Sequence, residues 1–319
     1  MAASSGYSGK PSPKHRIARL GRDIWKNRGK YFLVLPGIVW YAIFAYIPIF
    51  GLSLAFKKYM AKMGLFGSPW IGLANFENVF ADPAFMKSIY TTLWINAGRL
   101  IFVFPVPIIL ALMFNEVRLG RSKKILQSIF TFPHFLSWVI VGSIMISVLG
   151  QRGVVNSILT LLFGTEPIGF LGTPAYFQPI VYLTDIWKST GWSAIIYLAA
   201  ISGIDTEQYQ AAEIDGSTRL QRIWYITLPG IKPTIIVLFI LAVGNLMSGG
   251  FDQIFNLSNP ATIRVAEILD MYIYRITFRG SVDFSFSAAV ALFRSVINLL
   301  LLLTADRITK RIDGSGLLA

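Results

Sequence analysis

Along the chain, apolar residues fall into six runs, at about 31–56, 88–114, 127–149, 178–202, 233–255 and 284–305. Each is close to the roughly 20 residues that a helix needs to cross a bilayer. Pro36, Pro48, Pro105 and Pro107 lie inside the first two runs and predict kinks, tolerable where neighbouring helices or water satisfy the freed carbonyls. Between the fourth and fifth runs lies the longest polar, charge-mixed stretch, residues 209–229, reading YQAAEIDGSTRLQRIWYITLP. It predicts two short helices joined at Gly216. Residues 209–215 hold good helix formers around Ala211 and Ala212, and a glycine ends such a helix readily. Ser217 or Thr218 then caps a second helix, on which Leu220, Ile223, Trp224 and Leu228 recur at three-to-four spacing and which Pro229 and Pro233 close. The connections 57–87, 150–177 and 256–283 are longer and punctuated by Gly and Pro, as in ordered loops, and 263–275 within the last is helix-like.

Composition places these runs in lipid. The 319 residues are 54% hydrophobic and only 14% charged, with mean hydropathy +0.59, whereas a soluble domain carries about a quarter charged residues. The expected fold is therefore an all-α integral membrane protein, a bundle of six transmembrane helices. With no cysteine there is neither a disulfide nor a thiolate metal site, and with His15 and His134 alone a histidine-based catalytic or metal centre is disfavoured. His134, beside Pro133, reads as a structural histidine.

The net charge of +13 would suit nucleic acid if it were spread over a surface, but it is sorted by loop. The N-terminal tail, residues 115–126, the 209–229 stretch with Lys232, and the C-terminal tail together carry 18 Lys and Arg; the opposite connections carry 8, and Arg99, Lys188 and Arg294 fall inside helices. By the positive-inside rule both termini and the 209–229 stretch are cytoplasmic. Residues 14–30 place Ile17, Leu20 and Ile24 on one helical face among basic residues; a short interfacial helix and a solvated basic tail fit this equally. The division expected is a basic segment over 1–30, a six-helix domain over 31–306 with a cytoplasmic loop at about 204–232, and a tail over 307–319.

Polar groups inside spanning helices are costly and hence functional candidates. Asp185, Lys188, Ser189 and Trp192 share a face of the fourth helix; Asn245, Ser248, Gly249 and Asp252 share one of the fifth; Arg294 and Asn298 are one turn apart in the sixth, as are Asn96 and Arg99 in the second. Asp185 and Lys188 can neutralise each other. Four polar stripes predict a water-filled path. Trp187, Trp192 and Tyr197 with Asn245 and Ser248 supply the flat faces and hydrogen-bonding groups that sugars need. Arg99, Lys188 and Arg294 would suit an acidic sugar such as a uronate oligomer, or would only pair with neighbours.

The 209–229 stretch resembles the signature loop of ABC importer permeases, Glu-Ala-Ala, three residues, Gly, nine residues, then Ile-any-Leu-Pro. Here Gln210-Ala211-Ala212, Gly216 and Ile226-Thr227-Leu228-Pro229 keep every spacing, with Asp215 beside the glycine; Gln210 replaces the family's Glu and removes a charge. Leu35-Pro36-Gly37, Gly67-Ser68-Pro69-Trp70, the run from Pro107 to Leu112, Phe132-Pro133-His134-Phe135, Asp185-Ile186-Trp187-Lys188 and Gly250-Phe251-Asp252-Gln253 are similar to the oligosaccharide branch, as in maltose- and alginate-type permeases. The resemblance implies a type I importer permease in a bacterial inner membrane. Its partners would be a second homologous permease, two ATP-binding subunits and an extracytoplasmic solute-binding protein.

No G-x-x-x-x-G-K-[ST], G-x-S-x-G or H-E-x-x-H occurs, so a non-enzymatic subunit without its own cofactor is expected, ATP and Mg being bound by partner subunits. The alternative is an ion-coupled secondary transporter using Asp185, but no internal repeat supports it and the 209–229 stretch would then lack a purpose. A membrane-embedded sugar transferase would need clustered carboxylates in a loop, which are missing.

Overall fold

A computed structural model describes residues 25–117, 120–279, 283–314 and 316. Ile17, Leu20 and Ile24 of the expected basic helix lie outside the described residues. Among the described residues the chain is helical, apart from turns and one isolated bridge between Lys57 and Trp70. Besides single turns at Gly64–Gly67 and Phe132–Phe135, the helices in chain order are α1 (Arg28–Phe56), α2 (Ala74–Ala81), α3 (Pro83–Glu116), α4 (Gly120–Thr131), α5 (Trp138–Leu149), α6 (Val154–Phe163), α7 (Pro174–Ser202), α8 (Thr206–Ile214) and α9 (Arg219–Gly244). They are followed by α10 (Phe251–Leu257), α11 (Ile263–Ala266), α12 (Leu269–Phe278) and α13 (Phe284–Asp313), the last continuing into the expected tail.

Five stretches are long and apolar enough to cross a membrane: Arg28–Phe56, Pro83–Glu116, Trp138–Phe163, Arg219–Gly244 and Phe284–Arg311. The protein is thus a multi-pass membrane protein. α7, at 29 residues and about 43 Å of axial rise, lies outside these five because it carries Asp185, Lys188 and a row of hydroxyls. It packs against α3, α4 and α9, and its buried positions include Thr184, Lys188 and Thr190. Contact with other helices, not lipid, meets the needs of those groups.

The kinks expected at proline are absorbed in a specific way. Turns of π-helix at Ala42–Tyr46, Arg99–Val103 and Ile223–Thr227 are each followed, two residues on, by Pro48, Pro105 and Pro229. A proline ring crowds the carbonyl four residues back and offers it no N–H. Widening the preceding turn moves that carbonyl away and lets the last amide before the proline bond five residues back, as Phe104 N does to Arg99 O at 2.9 Å. Pro229 and Pro233 therefore do not close the second helix of the 209–229 stretch, which runs without interruption into α9.

The fifth run does not remain helical to 255: α9 stops at Gly244, and Gly249 and Gly250 take φ +95° and +89°, where only glycine is at ease. The connection 256–283, expected as an ordered loop with a helix-like run over 263–275, is helical at α11 and α12 and packs into the core: Ala266, Ile268, Leu269 and Tyr272 are 0–1% exposed. Ile254, Leu257, Ala266 and Ile268 pack with Ile95, Phe177 and Val181; Leu269 and Tyr272 pack with Phe85, Ala289 and Val290. A third cluster of Leu110, Phe114, Ala194, Tyr197 and Ile231 fills the other end of α7. Tyr272 donates to Asp82 at 2.6 Å, and burial, with that hydrogen bond and the negative charge of Asp82, pushes its hydroxyl well above the ordinary tyrosine range.

α7 and α4 touch backbone to backbone at Gly191, where any Cβ would collide with the Phe130 carbonyl. Gly191→Ala should therefore cost on the order of 2 kcal/mol and lower the unfolding midpoint of the detergent-solubilised protein. Gly51→Ala, with open space at its Cβ, should leave that midpoint unchanged.

Candidate functional site

Where α9 ends and α10 begins, six residues leave the α-helical ladder: the amides of Asn245, Leu246 and Ser248 bond three residues back, and the groups still unpaired require other partners. The partners come from three directions. From α3, Asn96 Nδ2 donates to Leu246 O at 2.7 Å and to Ser248 O at 3.4 Å, and Arg99 Nη1 reaches Gly249 O at 3.4 Å. From α13, Asn298 Oδ1 accepts from Met247 N at 3.0 Å while its Nδ2 donates to Ser248 Oγ at 2.5 Å. From α12, Asp270 Oδ2 accepts from Gly249 N at 3.2 Å, and its other oxygen pairs with Arg294.

Arg99 is the hub. It donates to Asn96 Oδ1 at 2.8 Å and to Gln253 Oε1 at 2.5 Å, and its Nε lies 3.3 Å from Asp185 Oδ2, an ion pair without hydrogen-bond alignment. Gln253 passes the connection on to α7 through Val181 O at 2.7 Å and Thr184 Oγ1 at 2.9 Å. A Cβ at Gly250 would collide with the Arg99 guanidinium, so glycine there serves both the turn and the cation. Two arginines and two aspartates make the cluster neutral.

Asn96, Arg99, Asp185, Ser248, Arg294 and Asn298 of the expected path are thus brought together. Asn245 caps Leu241 O at 2.9 Å and lines, with Asn96, Arg99 and Ser248, a cavity of about 260 Å³. Asp185, Ser189, Ser193 and Tyr197 line a second cavity of about 290 Å³, and Val103, Phe104 and Ala242 border both.

The face expected on α7 is split. Asp185 turns to Arg99 and Ser189, not to Lys188, whose ammonium donates to His134 O at 2.5 Å and lies 5.4 Å from the Trp138 ring. Trp192 stacks on His134 at 4.7 Å on that same side. Residues three apart on a helix diverge by about 60°, enough to send them to different neighbours. Trp187 joins neither group and lines an apolar cavity between α3, α4 and α7. Asp252 is also displaced, because the break resets the helical phase: it is exposed while the adjacent Gln253 is 1% exposed. Gln253 and Asp270 are the members that sequence reasoning missed. Gln253 stands next to Asp252 in the Gly250–Gln253 motif, and Asp270 lies in the helix-like run 263–275, outside the six apolar runs.

The 209–229 stretch forms the elbow expected of it. α8 begins after Asp205, whose carboxylate accepts from Glu207 N, and Gly216 turns the chain at φ +76°. Thr218 then forms a capping box with Gln221. Tyr209 and Thr227 hydroxyls meet at 3.0 Å and Arg222 pairs with Glu213 at 3.5 Å, tying the two arms together. Gln210, Ala211, Asp215 and Pro229 are exposed, with Ala212, Ile226 and Leu228 half-buried. Ile214, Leu220, Trp224 and Tyr225 are 65–87% exposed, so of the stripe expected on the second helix Leu220 and Trp224 face outward, while Ile223 and Leu228 are half-buried. No group of His, Asp and Glu able to hold a metal occurs among the described residues.

Residues 104–314 match the family described as binding-protein-dependent transport system inner membrane component. The polygalacturonan/rhamnogalacturonan transport system permease protein YteP of Bacillus subtilis (strain 168) is 40% identical over 95% of this chain and 94% of its own length. Protein LplB of the same strain is 40% identical over 94% of this chain and 93% of its own. One chain of a bacterial alginate ABC transporter, crystallised with an alginate pentasaccharide-bound periplasmic protein, superposes with TM-score 0.84 at 38% identity, covering 94% of this chain and 100% of that one.

Removing Arg99 strands the Asp185 carboxylate and takes the guanidinium from Gly249 O and Gln253. Arg99→Met should cost about 3–5 kcal/mol, read as lost yield and a lowered unfolding midpoint in detergent. The double variant Arg99→Met with Asp185→Leu should recover much of that loss.

Proposed function

The chain belongs to the binding-protein-dependent transport system inner membrane component family, and on that premise we propose that it is the permease subunit of an ATP-driven importer of acidic oligosaccharides. The observation that carries this reading is the broken helix between Gly244 and Phe251, with cavities of about 260 and 290 Å³ on either side of Phe104 in the middle of the bundle. Their walls are mostly apolar, with the amides of Asn96 and Asn245 and the hydroxyls of Ser248, Ser189, Ser193 and Tyr197 set among them, which suits a cargo with both C–H faces and hydroxyls. The paired charges leave the passage neutral, which allows a charged sugar to leave as readily as it enters. That relatives of such high coverage carry polygalacturonan or alginate supports a uronate-containing cargo.

In this reading α7 crosses the bilayer as the fourth of six spans, both termini face the cytoplasm of a bacterial cell, and the domain division is 1–30, 31–306 and 307–319. The 204–232 loop receives work from an ATP-binding subunit, of which there are two, each with its own ATP and Mg. Its outward apolar residues, Ile214, Leu220, Trp224 and Tyr225, are suited to a protein groove. α1 is apolar on all sides and nearly uncovered in the single chain, which accommodates a second homologous permease as well as lipid. A solute-binding protein delivers cargo at the far end of α7. ATP-driven closure and cargo delivery are coupled because each favours a different arrangement of the same bundle.

Gly216→Val forces a β-branched residue into a left-handed turn, and Ile214→Asp places a charge on the most exposed apolar residue of the elbow. Both variants should insert in normal amounts yet fail to co-purify with the ATP-binding subunits or to support ATP hydrolysis stimulated by the binding protein. Cargo uptake by this polypeptide alone, without nucleotide, would overturn the reading.

A further inference from the structure

At the end of the bundle remote from the 209–229 elbow lies a pocket that the passage does not use. Phe251, Phe255, Tyr274 and Phe278 form a ladder of rings across α10 and α12, with successive centroids 5.3, 5.4 and 5.6 Å apart. The Arg279 guanidinium lies 5.9 Å from the Phe255 ring and 5.5 Å from that of Tyr274. Among the described residues no carboxylate pairs with Arg279, whereas Arg275, one turn earlier, is held by Glu267 at 2.6 Å. Phe255, Ser258, Asn259, Met271 and Arg279 line a cavity of about 350 Å³, within the range of small-ligand pockets.

The pocket is supported from behind. Asn259 Nδ2 donates to Leu171 O at 2.6 Å, and its Oδ1 accepts from Ala261 N at 2.9 Å and Thr262 N at 3.2 Å, so this side chain fixes the loop. Leu171 precedes α7, and the length of that helix separates the pocket from the elbow. A guanidinium resting on aromatic faces keeps its N–H edge free for a planar anion, which it meets with paired hydrogen bonds. Exposed ring faces beside it suit the C–H face of a pyranose.

We propose that this pocket is an entry subsite for a sugar carboxylate, where Arg279 recognises one uronate ring of the cargo as it leaves the binding protein. The inference rests on the importer reading above and adds the place at which acidity is sensed, which the internally paired Arg99 and Arg294 do not offer.

The test uses the whole complex in proteoliposomes, with the binding protein supplied ligand-free, loaded with trigalacturonate, or loaded with its methyl ester, which keeps the rings and lacks the charge. Arg279→Gln should raise the half-saturating concentration of trigalacturonate-loaded binding protein about tenfold, the worth of one charge-assisted hydrogen-bonded contact. It should leave the ester and ligand-free arms unchanged, and Arg279→Lys should restore part of the loss. An equal effect on acid and ester would assign Arg279 a structural role. An effect in the ligand-free arm would mean that it meets a carboxylate of the binding protein itself, and no effect anywhere would leave the pocket without a role; each overturns the inference. Failure of the wild-type complex to import either trimer would instead overturn the oligosaccharide reading, and this inference with it.

Discussion

The structure depends on how a low-dielectric interior treats an interrupted helix. A bilayer offers no water to the amides and carbonyls released between Gly244 and Phe251, so the interruption persists only because α3, α12 and α13 bring Asn96, Arg99, Asp270 and Asn298 to it. Arg99 and Arg294 are in turn affordable because Asp185 and Asp270 stand beside them. Backbone and charge solve each other's problem at one place, and the two cavities open beside it.

The prolines obey the same constraint at smaller scale. Pro48, Pro105 and Pro229 each remove a donor from a helix surrounded by apolar groups, and a π turn redistributes the remaining bonds. At Arg99–Val103 this widened turn coincides with the hub of the polar cluster, so the backbone adjustment forced by Pro105 also sets where the guanidinium points. At Ile223–Thr227 it keeps α9 unbroken past Pro229, so one continuous helix runs from the second arm of the elbow to the interrupted segment.

Much of this was legible in the sequence. Six apolar runs, the elbow at Gly216 with its Thr218 cap, and the participation of Asn96, Arg99, Asp185, Ser248, Arg294 and Asn298 all follow from local chemistry: hydrophobic length, backbone freedom at glycine, and the cost of polar groups in lipid. Partner choice did not follow. Asp185 and Lys188 are one turn apart and opposite in charge, yet Arg99 takes the carboxylate and a carbonyl takes the ammonium.

The sequence by itself determined that this chain lives in a membrane, bends at a rigid elbow and buries polar groups along several of its helices, because each of those properties is set by residues close together in the chain. Only the tertiary structure decided which polar groups meet, that Gln253 rather than Asp252 faces inward, and that residues 256–283 fold into the core. The physical reason is that a two-glycine turn resets the phase of every residue beyond it, and the direction it takes is chosen by contacts more than a hundred residues away in sequence, such as those of Asn96 and Arg99.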